Sequence, residues 1–181
     1  MLDLDRFFAD CQDAVAQDPS HRAVSEVVAR AVSRPEDIVA ALGEPQRAGI
    51  NLLHASPGLT ILNLVWGPCM TIMPHEHRMW AVIGIYSGRE DNIFWRRLPL
   101  DSDRAIEAAG ARSLSRGDCT KLGSDIIHSV TNPIPRLTGA IHIYGGDLLN
   151  QERSEWNPET LREEPYDAEK ARRLFEDSSK I

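Results

Sequence analysis

Two histidines one residue apart, in Met73-Pro74-His75-Glu76-His77, constrain this chain more than any other feature. In an extended strand positions i and i+2 share a face, so both imidazoles point one way and Glu76 the other. Such a pair suits a shared metal ion, and a catalytic metal needs at least one further ligand. His128, closing Ser124-Asp125-Ile126-Ile127-His128, is the best candidate. Three neutral imidazoles suit iron, zinc, copper or nickel. They leave the cation its full charge and part of its coordination sphere open. A structural zinc site would instead be closed by a fourth ligand, often cysteine, and none of Cys11, Cys69 and Cys119 stands at ligand spacing. A lone histidine is most simply a core or surface residue; the spaced pair moves the reading to ligation.

The 181 residues suit a single domain, 1–181, with its own hydrophobic core. A net charge of -7, with no lysine or arginine cluster, argues against a nucleic-acid surface. No apolar run approaches the roughly 18 residues that would suggest a membrane helix. Residues 1–6 lack the basic and apolar regions of a secretory signal. Three cysteines without paired spacing fit reduced thiols in a cytoplasm.

Residues 3–17 carry Leu4, Phe7, Phe8, Cys11, Ala14 and Val15 at helical spacing, and Asp18-Pro19-Ser20 breaks the pattern. A second helix is expected over 21–33, stopped by Pro35, and a short third over 36–42, closed by Gly43. These form a helical preface, 1–45, that can be a lid or buttress packed on a β core or can pair two copies of the chain. From Ile50 the texture is β-branched and aromatic with frequent turns. Strands are expected over 59–66, 69–77, 80–86, 92–98, 119–122, 128–130 and 137–144. Residues 101–112 read as a polar, alanine-rich hairpin loop with a helical turn. Asn157-Pro158 opens an irregular tail, and 167–175 reads as a closing helix with Asp167 as N-cap. Many short strands in one block, 50–147, indicate a mainly β chain. The expected architecture is a closed or double-sheet antiparallel barrel, a jelly roll of the cupin type. Its N-terminal helical segment and a tail at 148–181 flank the barrel, whose mouth suits a small molecule.

His142 and Tyr144 share a strand face by the same period of two; that face points at the pocket or at solvent, and a satisfied buried pair would look the same. Glu90, past the Ser87-Gly88 turn, reads as a hairpin-tip charge. Trp80 and Trp95 read as core, and Cys69 and Cys119 as small buried apolar residues.

Trp66-Gly67, His75-Glu76-His77, His128 before Val130-Thr131-Asn132, and Ala140-Ile141-His142-Ile143-Tyr144 resemble the cysteine dioxygenase family of thiol dioxygenases. The resemblance covers roughly residues 50–147. It implies Fe(II) held by His75, His77 and His128, with Tyr144 beside the bound thiol and O2 and His142 supporting Tyr144. Three positions depart from the family. Ala140 stands where the family has serine, and Val82 where animal-type enzymes carry the cysteine cross-linked to tyrosine. Ile50 stands where the family's carboxylate-binding arginine is expected. The resemblance therefore implies oxidation of a small thiol other than cysteine to a sulfinate. Arg47, His54, Arg78, Arg89 and Arg96 are alternative anion contacts, although parity turns Arg78 away from the ligand face. The competing reading is a cupin that does not use oxygen: a metal-dependent isomerase, or a small-acid binding protein.

Overall fold

A computed structural model describes residues 1–99 and 104–179. Three helices open the chain: α1 (Leu4–Gln17), α2 (His21–Val32) and α3 (Pro35–Leu42). Each begins where its local chemistry dictates. The Asp3 and Ser20 side chains accept from backbone N–H groups of the first turns of α1 and α2, and Pro35 occupies the first turn of α3. Among the described residues eleven strands follow: β1 (Gly49–Ser56), β2 (Leu59–Trp66), β3 (Thr71–Glu76), β4 (Ala81–Ser87), β5 (Arg89–Arg97), β6 (Ile106–Ser115), β7 (Cys119–Leu122), β8 (Ile127–Thr131), β9 (Thr138–Tyr144), β10 (Ser154–Trp156) and β11 (Glu163–Pro165). Helix α4 (Ala168–Ser178) is capped by Asp167.

The strands form two antiparallel sheets, ordered β1-β2-β9-β4-β7 and β11-β10-β3-β8-β5-β6. From β2 onward the chain passes repeatedly from one sheet to the other, as a jelly roll requires. Of the two expected forms this is the double-sheet one, not a closed barrel. The inner faces meet in a core that includes Leu62, Leu64, Ile72, Ile83, Val130 and Ala140.

Period-two alternation then sends the neighbouring side chains outward. Ile61, Val82, Ile141 and Ile143 leave the sandwich on the far side of the first sheet and meet Phe7, Val28, Val32 and Ile38 of the helices. The helical preface is thus a buttress. A Cβ on Gly84 would lie 2.6 Å from both Val28 and Val32, which is why α2 can approach β4 only at a glycine. Burying both faces explains why β2 and β9 are buried along their whole length.

Four expectations about the elements need correction. The tail after Asn157, read as irregular, carries β11, which pairs antiparallel with β10. Residues 106–112, read as a loop, belong to β6, whose side chains are mostly exposed at the edge of its sheet. The start of that reading, 101–103, lies outside the described residues. Val82 faces the helices, whereas the cross-strand partner of Tyr144 in β4 is Ala81. Cys69 is exposed, on a turn where its φ is 53°, whereas Cys11 is buried and Cys119 partly so.

That difference predicts thiol reactivity. Burial raises the Cys11 thiol to about 12 and Cys119 to about 11, so almost no thiolate, the reactive form, is present at about pH 8. Iodoacetamide at that pH is expected to alkylate Cys69 first in the folded protein, and all three only in denaturant. Peptide mass mapping showing equal labelling of the three in the native state would contradict this.

Candidate metal centre

β3 and β8 are neighbours, and their register sets His75 directly opposite His128. His77 follows just beyond the end of β3, where Arg78 turns the chain with a φ of 55°. All three imidazoles are buried inside the sandwich. The Nε2 atom of His77 lies 3.2 Å from that of His75 and 3.3 Å from that of His128. Nitrogens about 2.1 Å from a common cation, at right-angled to tetrahedral angles, lie roughly 3.0–3.4 Å apart. The spacing fits a metal ion.

The remaining ring nitrogens support that fit. His75 donates its Nδ1–H to the Met73 carbonyl at 3.0 Å, and His128 its Nδ1–H to the Asn92 Oδ1 at 2.7 Å. Each bond leaves the Nε2 lone pair free for a cation, the arrangement usual for ligating histidines. Burial lowers the His75 imidazole to about 4 and pushes His77 and His128 well below the ordinary range, with the neighbouring imidazoles adding to the effect. The rings are therefore neutral, as ligation demands. Among the described residues, this is where His, Cys, Asp or Glu side chains converge as three buried potential ligands.

Tyr144 stacks edge-on against His77, with ring centroids 4.9 Å apart, and its hydroxyl lies 3.2 Å from the Nδ1 of His142. Both side chains point into the sandwich, so the face they share is the pocket face. The pocket, of about 610 Å³, opens between the sheets and is walled by Leu62, Trp66, Leu148 and Phe175 among others. Helix α4 forms part of its rim, tied down where Lys170 donates to the buried Glu155 at 2.6 Å.

The expected anion contacts mostly lie elsewhere. Arg78 pairs with Glu76, Arg89 with Asp91 and Arg96 with Glu107, and His54 meets Gln12. Glu76 itself, turned from the imidazoles as parity requires, is held by Arg78 and Arg97. Only Arg47 of that group lines the pocket, as does Ile50.

Arg153, which the sequence did not single out, also lines the pocket. Its guanidinium stacks on Tyr166 at 3.9 Å and donates to the Leu148 carbonyl at 2.7 Å, while its buried Nε–H has no partner. Among the described residues Arg153 forms no ion pair, whereas Arg172 on the same rim is held by Glu169 and Glu176. Its charge helps to hold down the His75 and His77 imidazoles and opposes the burial that raises the Tyr144 phenol. Glu90 was also misread. It is completely buried, not a hairpin-tip charge, and contacts His142 and Asn92. Parity in β5 could have found it, because Glu90 and Asn92 alternate with Asp91 and Ile93.

No protein-family model matches the chain. Solved structures overlap part of it. An uncharacterized conserved protein with a double-stranded beta-helix domain from Klebsiella pneumoniae is 12% identical, covering 65% of this chain and 87% of that one, with a TM-score of 0.48. An RmlC-like cupin family protein from Methanocaldococcus jannaschii is 10% identical, with coverage of 60% and 90% and a TM-score of 0.46. A cupin superfamily protein from Desulfitobacterium hafniense is 15% identical, with coverage of 60% and 88% and a TM-score of 0.45. Among the described residues no helix is long and apolar enough to cross a membrane.

Proposed function

We propose that this chain is an iron(II)-dependent thiol dioxygenase that converts a small, acid-bearing thiol and O2 into the sulfinate. The observation that carries the reading is one pocket holding three converging neutral imidazoles, a phenol and an arginine without a carboxylate partner. His75, His77 and His128 would hold the metal. Iron(II), when bound, supplies the open positions and the redox chemistry through which thiol and oxygen react. The balance is RSH + O2 giving RSO2H, with both oxygen atoms on sulfur and sulfur supplying the electrons that oxygen takes up.

The chain's own side chains do the rest. Arg153 offers a guanidinium to the acid end of the substrate, in place of the arginine that Ile50 replaces. Tyr144 sets a hydroxyl beside the reacting end, held in direction by His142. Leu62, Trp66 and Phe175 keep water from the pocket wall and cover the substrate's carbon skeleton. The non-oxygenase reading draws its support from the missing arginine and serine; in the reading proposed here Arg153 and Glu90 would take comparable roles.

Anaerobic loading with iron(II), followed by oxygen-uptake assays on a panel of thiols, tests the proposal. The expected result is stoichiometric oxygen uptake and sulfinate from thiols that carry a carboxylate. No uptake with any thiol by fully iron-loaded protein would overturn it. Equal ligand binding or turnover with zinc or manganese in the absence of oxygen would favour the isomerase or binding-protein reading.

A further inference from the structure

Five side chains form one buried chain of hydrogen bonds: His128, Asn92, Glu90, His142 and Tyr144. The geometry assigns Glu90 as the positioning residue that sets the tautomers of two imidazoles at once, His142 behind the tyrosine and His128 in the metal centre. Its functional weight rests on the reading of the site given above; its tautomer content does not.

As a carboxylate Glu90 only accepts hydrogen bonds. Its Oε1 lies 3.0 Å from the Asn92 Nδ2 and its Oε2 3.2 Å from the His142 Nε2, so both neighbours must present donors. Asn92 therefore turns its NH2 to Glu90 and its Oδ1 to His128. That makes His128 the Nδ1–H tautomer and frees its Nε2. On the other side a neutral His142 carries its one proton on Nε2, so that Nδ1 faces the Tyr144 hydroxyl 3.2 Å away as an acceptor. The direction of the phenolic O–H follows. Glu90 is 0% exposed, so water cannot stand in for either neighbour, and a buried carboxylate unsupported on one side is costly. Ala140, the register partner of Ile85 on the next strand, has no hydroxyl with which to orient His142; the carboxylate does so from β5.

Glu90→Gln exposes the device, because an amide can accept on one side only. Either its NH2 faces His142 and drives that ring to the Nδ1–H tautomer, or it faces Asn92, flips that amide and moves the His128 proton to Nε2. Long-range 1H–15N NMR of the imidazoles reads this directly, in metal-free protein and in protein loaded with zinc as a diamagnetic probe. Metal-free wild type is expected to show His142 protonated at Nε2 and His128 at Nδ1. In Glu90→Gln one of the two is expected to exchange its tautomer. A switched His142 would be accompanied by an iron-dependent kcat lower by about 10–100-fold, the usual scale for outer hydrogen-bonding partners, at little-changed KM. A switched His128 would be accompanied by a similar loss of zinc affinity. Glu90→Asp, which keeps the carboxylate, is expected to preserve both wild-type tautomers.

A wild-type His142 unprotonated at Nε2, or a folded Glu90→Gln in which both rings keep their wild-type tautomers, overturns the assignment. If Glu90→Gln fails to fold, the wild-type spectrum decides alone. A protein with these tautomers that oxidises no thiol would refute the proposed reaction and leave the role of Glu90 standing.

Discussion

Alanine in place of His75 is expected to strip the chain of bound metal while leaving it folded. Its Nε2 is one corner of a triangle whose other corners, on His77 and His128, lie 3.3 Å apart. Four-ligand zinc sites bind with about 10–16 kcal/mol, so one ligand accounts for roughly 2.5–4 kcal/mol and its loss for about 10²–10³-fold in affinity. The fold has less at stake. The His75 ring lines an open pocket, its backbone stays paired with His128 across β3 and β8, and the space it leaves joins a cavity that water can enter. Metal analysis after gel filtration, beside circular dichroism, reads both halves of the expectation. Replacing His54, which lies outside the pocket against Gln12 and Phe8, supplies the control that should retain metal. Wild-type metal content in folded His75→Ala would mean that the three rings are not the ligands, and the proposed reaction would go with them.

The metal centre was legible because its signal is local twice over. One HxH pair sets two rings on one strand face, and a third histidine starts a strand that a short hairpin cannot supply. The helices were legible for the same reason: Asp3, Ser20, Pro35, Gly43 and Asp167 mark their ends by side-chain caps or backbone restriction that act within a turn. What escaped lies where no local pattern exists. β6 is an edge strand with Ala108, Ala109, Gly110 and Ala111 exposed, so burial imposes no alternation on it and its composition reads as loop. Arg153 reaches the pocket because Ser154–Trp156 pairs with β3 through a single residue pair, Glu155 with His75. That pairing joins positions 80 residues apart, and nothing in a three-residue strand announces it. Glu90 lay between these cases. Its parity was readable, but a carboxylate next to a turn is so commonly solvated that only its partner His142, 52 positions away along the chain, reveals its burial.

Substitution of Arg153 by methionine is expected to separate acid-bearing thiols from neutral ones. Methionine keeps most of the apolar stem and removes the charge, the fork, the stacking of the guanidinium on Tyr166 and the bond to the Leu148 carbonyl. A hydrogen bond to a charged group contributes about 1.5–3 kcal/mol, so KM for a thiol carboxylate should rise about 10–100-fold. A thiol of the same length ending in a hydroxyl makes no ion pair with Arg153 and should change by far less. Lysine restores the charge without the planar two-pronged geometry, so Arg153→Lys is expected to recover part of the discrimination. The comparison between the two thiols matters more than either rate. Loosening the loop that carries Arg153 would weaken both substrates alike, whereas loss of a carboxylate contact weakens one. Should Arg153→Met penalise the hydroxyl thiol as heavily as the carboxylate thiol, the arginine only braces the pocket wall. The anion contact would then fall to Arg47, which lines the same cavity.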